Sequence, residues 1–270
     1  VQVKDEHNAS MAGVFNVIVT NANDWALGTV SISGNAQVGQ TLTASNNLTD
    51  QDGLGTIMYL WERDGMPSHG GYIKDGINGV DGLNAANRMT ISPDNKHVYV
   101  TAINDRAITW HEINATTGAL TYLGYVKDGV DGVDGLQGAR DVAISSDGKH
   151  VYAVAAADDG ISWYDRNATT GALTFRSFLK DNQNGMDGLN GAQALVISPD
   201  GKNIYIAGRE EDAVTWVDRN TSTGEITFNG FLKNGTNGIT GLNFPVSIDI
   251  SFDGKHIYLV GRDDNAISWF

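Results

Sequence analysis

A repeat of 53 residues limits the fold of this chain more than any other feature. Tyr72, Tyr125, Phe178 and Phe231 stand 53 residues apart, and the same step links Gly82, Gly135, Gly188 and Gly241. It also links Asp94, Asp147, Asp200 and Asp253, then Trp110, Trp163, Trp216 and Trp269. No insertion or deletion breaks the register, so the units occupy equivalent places around an axis or along a line. Within one unit, residues 141–145, 150–155, 161–165 and 172–180 read as short strands, separated by turn signals at 146–149, 158–160 and 167–171. Four antiparallel strands in about 50 residues, apolar on both faces, describe a sheet packed between two like sheets, which is the blade of a β-propeller.

The expected fold class is therefore all-β, with four blade-equivalents at 72–124, 125–177, 178–230 and 231–270. The last of these lacks a fourth strand. Residues 66–74 lie in the fourth-strand register one step before 119–127, so they are expected to complete that blade and close a four-blade ring. Closure would remove exposed strand edges, where β proteins aggregate. The alternative is an open or longer array whose missing strand comes from further chain or from a neighbouring molecule.

Residues 1–62 follow no 53-residue rule and form a separate β-sandwich-like segment ahead of the repeats at 63–270. Strands are expected at 14–20, 29–33, 40–44 and 56–62, between clusters of Gly, Asn and Asp. A segment this short is marginal alone and is expected to dock on a neighbouring module.

Composition narrows the function classes. With 18 Lys+Arg against 32 Asp+Glu the net charge is −14, which repels phosphate backbones and anionic lipid, so nucleic acid is excluded as a partner. There is no cysteine, hence no disulfide, thiolate nucleophile or Cys-based zinc site. No apolar run reaches the length of a membrane span. The opening VQVKDEHNAS has neither an initiator Met nor a leader pattern, and the polypeptide is expected to extend upstream.

Three sets of residues are candidates for chemistry. Asp75 and Asp81, then Asp128, Asp131 and Asp134, then Asp181 and Asp187, recur in Gly-rich loops such as KDGVDGVDG. Carboxylates on flexible Gly loops suit a hard cation, so these loops are candidate Ca²⁺ sites, with ordinary turn chemistry as the alternative. His97, His150 and His256, with Asn203 at the fourth equivalent position, are expected to be structural, as is the repeated Trp set. Asn87, Arg88, Arg140, Asp141, Gln193 and Asp249, on the innermost strands, break the repeat as a functional site would require. Of these, Arg140, Asp141 and Asp249 could polarise a carbonyl and activate water, or form ion pairs between blades. The triplets at Asn8, Asn47, Asn114, Asn167, Asn220 and Asn234 fit the N-glycosylation rule, but turn chemistry accounts for them. No GxSxG, HExxH, Walker or Rossmann pattern occurs.

The motifs VDGLxGA (133–139), SPDGK (198–202) and NATTGALTF (167–175) resemble bacterial lactonase-like, YVTN-type β-propeller repeats over about 200 residues. That family usually has seven blades, and the resemblance implies a propeller and, by analogy, lactone hydrolysis. Residues 28–65, after VFNVIVTNANDW (14–25), resemble the Ig-like and cadherin-like repeats of large bacterial surface adhesins. On these readings the expected function is a non-enzymatic binding or adhesion module of a bacterial secreted or surface protein. Its partner would be a cell-surface or matrix ligand, protein or glycan. The alternatives are a subunit that builds a fibre by exchanging strands between copies, and a lactonase-type hydrolase.

Overall fold

The computed structural model describes residues 2–4, 10–12, 15–18, 29–33, 43–49, 58–61, 70–183 and 185–270. The chain divides into two compact units, Val1–His69 and Gly70–Phe270. In the first, β1 (Gln2–Lys4) pairs with β2 (Ser10–Ala12), β3 (Phe15–Ile18) with β6 (Met58–Trp61), and β4 (Val30–Ser33) with β5 (Thr43–Asn46), all antiparallel.

The second unit is the propeller array. Its blades are β7 (Ala86–Ile91), β8 (His97–Ala102), β9 (Ala107–Ile113) and β10 (Leu120–Lys127); β11 (Ala139–Ile144), β12 (His150–Ala155), β13 (Gly160–Arg166) and β14 (Leu173–Lys180); β15 (Ala192–Ile197), β16 (Asn203–Gly208), β17 (Ala213–Arg219) and β18 (Ile226–Lys233); and β19 (Pro245–Ile250), β20 (Ile257–Gly261) and β21 (Ala266–Trp269). Each sheet is a meander of antiparallel neighbours in chain order. Its third strand ends in a turn such as Asn167–Gly171, where Asn167 Oδ1 accepts the Thr169 and Thr170 N–H groups at 2.9 and 3.0 Å. This Asx turn is what the repeated Asn is for.

The innermost strands β7, β11, β15 and β19 pack side by side in that order. The cores lie between blades. Tyr99, Trp110, Leu136 and Tyr164 join the first two, and Tyr152, Trp163, Leu189 and Ile206 the second and third. Leu242, Ile248 and Leu259 meet Ala207 and Val214 between the third and fourth. Each buried Leu or Ile contributes roughly 1.5–3 kcal/mol, so neighbouring blades stabilise one another.

One recurring pair shows why two motifs share a period. Gly135 has φ +85, and a Cβ there would run into the Phe178 ring. Glycine and aromatic are therefore two sides of one blade contact, repeated 53 residues apart.

The expected ring is not formed among the described residues. The fourth sheet has three strands, and residues 70–74 belong to no strand. Residues 66–69 lie outside the described residues. Consistent with an open row, Met89 and Ile91 on β7 are exposed at one end, and Ile267 and Trp269 on β21 at the other.

Candidate functional site

The innermost strands are bulged where the repeat breaks. In β11 the pairing with β12 shifts between Ala139 and Asp141, and in β15 that with β16 shifts between Ala192 and Ala194. The extra residues are Arg140 and Gln193. A bulge re-aims the side chain it frees, so these positions escape the packing that dictates the rest of the strand.

Arg140 Nε and Gln193 Oε1 are buried and have no hydrogen-bond partner among the described residues. Asn87 Nδ2 donates to Arg140 O at 2.7 Å, tying the first blade to the second. Arg209, on the loop after β16, is near enough for its charge to act on Arg140. Burial lowers the Arg140 pKa, and the like charge of Arg209 lowers it further. Arg209 is itself held by Glu210, its Nε and Nη2 donating to Oε1 at 3.0 and 2.6 Å.

Phe244 extends this row. It has φ +53 at a position where the second and third blades carry Gly138 and Gly191, a strained conformation for a bulky side chain. Both Arg209 and Arg262 lie over its ring, at 4.8 and 3.7 Å from the centroid. The result is a row of guanidinium groups on an otherwise acidic protein, with Glu210 on Arg209, Asp263 on Arg262 at 2.8 Å, and Asp212 accepting the Phe244 N–H at 2.8 Å.

Arg140 and Asp141 are adjacent on β11, but the Asp141 carboxylate is already engaged. It accepts the Leu195 N–H at 3.1 Å and the Val142 N–H at 2.9 Å, bridging the second and third blades. Burial pushes its pKa up, against the pull of those donors and of Arg88. Asp249 is exposed on β19, where its Oδ1 accepts the N–H of Ile250 at 2.8 Å. It pairs with Tyr258, whereas the repeat equivalent of Asp141 is Ser247, two residues earlier on that strand. Arg140 and Asp141 are thus neighbours on β11, the charge of Arg209, itself paired with Glu210, acts on Arg140, and Asp249 stands in a different register.

The acidic loops do converge. Asp75, Asp81 and Asp105 bring one carboxylate oxygen each within 4.8 Å of one another, as do Asp128, Asp134 and Asp158, and Asp181, Asp187 and Glu211. The sequence reading missed the third member of each set, which comes from the turn between the second and third strands. Part of this acidity caps loop N–H groups: Asp128 Oδ1 accepts from Leu136 N at 3.2 Å and Asp158 Oδ2 from Gln137 N at 2.6 Å. Burial raises the Asp158 pKa, and Asp128 and Asp134 raise it further. Asp131, exposed with φ +51, belongs to none of the clusters.

His97 and His150 serve blade packing, whereas His256 is exposed. The buried Arg166 Nη2 donates to His97 Nδ1 at 2.8 Å and to Asp94 at 2.9 and 3.0 Å. Its Nε donates to Tyr99 Oη at 2.8 Å, and Tyr99 Oη in turn donates to Gly171 O at 2.8 Å. Arg219 repeats the arrangement on His150, Tyr152 and Gly224. Because a guanidinium only donates, His97 and His150 accept at Nδ1 and are neutral there. Burial, then the arginine charge, lowers both pKa values.

The family described as "Lactonase, 7-bladed beta-propeller" matches residues 73–179 and 133–270. Among curated proteins none matches. The fold is shared with a crystal structure of a candidate 6-phosphogluconolactonase from Bacteroides uniformis, at TM-score 0.57 and 18% identity over 99% of this chain and 79% of that one. A second such protein, from Bacteroides fragilis, gives TM-score 0.57 and 18% identity over 100% and 78%. The periplasmic gluconolactonase of Pseudomonas aeruginosa gives TM-score 0.58 and 16% identity over 88% and 62%.

Proposed function

The chain belongs to the lactonase family of seven-bladed β-propellers, and from that premise we propose that it hydrolyses lactones. The match replaces the expectation of a non-enzymatic adhesion module. That expectation rested on the adhesin-like stretch at 28–65, outside the matched residues, and on the lack of a short catalytic motif. A propeller site is built from residues of several blades, so such a motif has no reason to exist.

The observation that carries the assignment within this family is the row at the bulged innermost strands. Arg140 and Gln193 keep hydrogen-bonding capacity that the fold does not consume. Opening a lactone needs a donor for the carbonyl oxygen as it becomes an oxyanion, and a base for the attacking water. We assign the first role to Arg140, reinforced by Arg209, and the second to the Glu210 carboxylate. The water oxygen bonds to the carbonyl carbon, the ring C–O bond breaks, and the proton taken by Glu210 passes to the departing alkoxide. The product is a hydroxy acid. Asp141 is a positioning residue that holds β11 to β15.

The guanidinium groups of Arg88, Arg140, Arg209 and Arg262 favour an anionic sugar-acid lactone, in keeping with the names of the two Bacteroides proteins. The test is hydrolysis of gluconolactone and its 6-phosphate. Arg140→Ala should lower kcat/KM about 10²-fold or more, the loss typical of removing an oxyanion donor, and Glu210→Gln should lower kcat. Wild-type rates no higher than the uncatalysed reaction would reject the reading.

The proposal extends to Ca²⁺ at the three carboxylate clusters, supported by their all-oxygen donors on Gly loops. The fourth loop has Asn234 and Thr240 in place of two of the acids, so three ions rather than four are expected. Calorimetric titration of Ca²⁺ into metal-free protein with no heat and no change in Tm would remove this part.

A further inference from the structure

Between the second and third blades, on their outer strands, lies a cleft of about 960 Å³, a size in the range of small-molecule sites. It is lined by β13, β14 and the loop after β14 on one side, and by the start of β18 with the turn before it on the other. Arg140 and Gln193, on the innermost strands, do not line it.

The repeat shows what is particular to this cleft. Between the first and second blades the chain carries Leu123, Gly124, Val130 and Ala172, where the cleft has Arg176, Ser177, Gln183 and Glu225. Blade packing does not require the polar set, since the first pair of blades packs without it. Local structure delivers two of its members. β14 is bulged opposite Trp163 and Tyr164, which frees Arg176 from the ladder. Gly124 and Gly230, the counterparts of Ser177, let an indole lie on the backbone: a Cβ at either would stand 2.9 or 2.6 Å from Cζ2 of Trp110 or Trp216. Ser177 has that Cβ, so Trp163 cannot take the same seat.

Unpaired donors and unpaired acceptors meet here. His150, 4% exposed, accepts from Arg219 Nη2 at Nδ1, so its own proton is on Nε2. Trp163, 7% exposed, carries a single donor, Nε1–H. Neither N–H has an acceptor among the described residues, and neither is sealed from solvent. Arg176 Nε donates to Asp165 Oδ2 at 2.8 Å and Nη2 to the same oxygen, leaving Nη1 and Oδ1 without a partner among the described residues. The exposed Glu225 carboxylate has none there either. Leu179, Met186 and Phe228 supply an apolar wall.

We infer that this cleft binds a neutral saccharide, at a site separate from lactone hydrolysis and independent of it. The charges of Asp165 and Arg176 cancel and His150 is neutral, so Glu225 leaves one negative charge, which opposes an anion. A cation or a hydrocarbon would cover Trp163 and His150 while leaving both N–H groups unpaired, which costs free energy. A hydroxyl donates and accepts at once. A sugar ring sets several hydroxyls around C–H faces that pack on the apolar wall.

A proton–nitrogen correlation spectrum of the full-length protein resolves the indole N–H groups, and Trp163→Phe identifies the one that reports the cleft. The probes are glucose, galactose, mannose, N-acetylglucosamine, lactose and maltose, with gluconate and ethanolamine as charged controls. At least one sugar should move the Trp163 signal with a Kd of about 1 mM or below, and neither control should move it. Arg176→Leu, Gln183→Val and Glu225→Ala together install residues that the first pair of blades already carries, so the fold should be kept. They should raise the Kd about tenfold or more, the weight of charge-assisted hydrogen bonds. Arg140→Ala should leave it unchanged. Should the triple variant not fold, Glu225→Ala alone, at an exposed position, decides by the same measurement. The inference is overturned if no sugar moves the Trp163 signal, if a charged control moves it as strongly, or if the cleft variants bind as the wild type does. Loss of binding in Arg140→Ala would also overturn it, since the sugar would then occupy the lactone site.

Discussion

Replacing Arg166 by methionine should remove about 3 kcal/mol of stability. The side chain is 1% exposed, and its guanidinium bonds to four groups: Tyr99 Oη, Gly148 O, the Asp94 carboxylate and His97 Nδ1. Methionine keeps much of the apolar stem, so the loss is mainly polar. Taking one partner from a buried ion pair costs about 3–5 kcal/mol, because the other charge stays without its counterion. Here the Asp94 side chain is 32% exposed and regains water, which places the effect at the lower end. For a domain of this size about 2–4 °C accompanies each kcal/mol, so Tm should fall by about 6–12 °C. Urea unfolding followed by tryptophan fluorescence gives the free energy, with a lower midpoint at unchanged slope. Arg176→Met is the control, since that arginine pairs with Asp165 on the surface, at side-chain exposures of 55% and 34%, and should change nothing measurable. If Arg166→Met costs no more than Arg176→Met, the reasoning about the clamp is wrong. Arg219→Met should cost less than Arg166→Met, because Asp147 stands 3.7 Å away rather than 2.9 Å.

Acid should weaken the fold in two stages. His97 and His150 have folded pKa values below 6.5, so their contribution is complete above that pH and is lost as pH falls below it. Burial is the largest influence on Asp94 and raises its pKa, but the hydrogen bonds from Ser92, Arg166 and Lys96 N–H, with the Arg166 charge, together outweigh it and hold the carboxyl at about 2. Its contribution is therefore lost between pH 3.8 and about 2. A His97→Asn, His150→Asn protein should show a flatter Tm profile from pH 7 to 5, and a slope equal to wild type would contradict the assignment. Burial raises Asp158 and Asp181, so their contribution runs the other way, present below pH 3.8 and lost as pH rises through the folded values. Asp158→Asn should accordingly raise the metal-free Tm at pH 7 and narrow any gain from Ca²⁺, as calorimetry would record. Gly129→Ala, at φ +74 with open space around it, should cost about 1 kcal/mol for the left-handed backbone alone. Gly171→Ala, at φ +72 against the His97 ring, should cost several times more in the same urea assay.

Much of the architecture was legible in the residues. Strands expected at 150–155 and 161–165 appear as His150–Ala155 and Gly160–Arg166, because a packed sheet imposes its own pattern and its Asp-Gly and Asn-Ala-Thr-Thr-Gly turns are local chemistry. The structural role of the histidines followed from their recurrence. Their partner did not: Arg166 sits 69 residues from His97, and only packing of successive blades brings the two within 2.8 Å.

By itself the sequence determined the repeat, the blade and the order of its strands, since period, turn type and apolar pattern act over a few residues. Only the tertiary structure decided which residues meet. It brought the charge of Arg209 to bear on Arg140, added Asp105, Asp158 and Glu211 to the acidic loops, and left residues 70–74 outside the fourth sheet. The physical reason is that a propeller contact joins equivalent positions on different blades. Its geometry is set by blade angle and bulge, and neither is written in any one segment of chain.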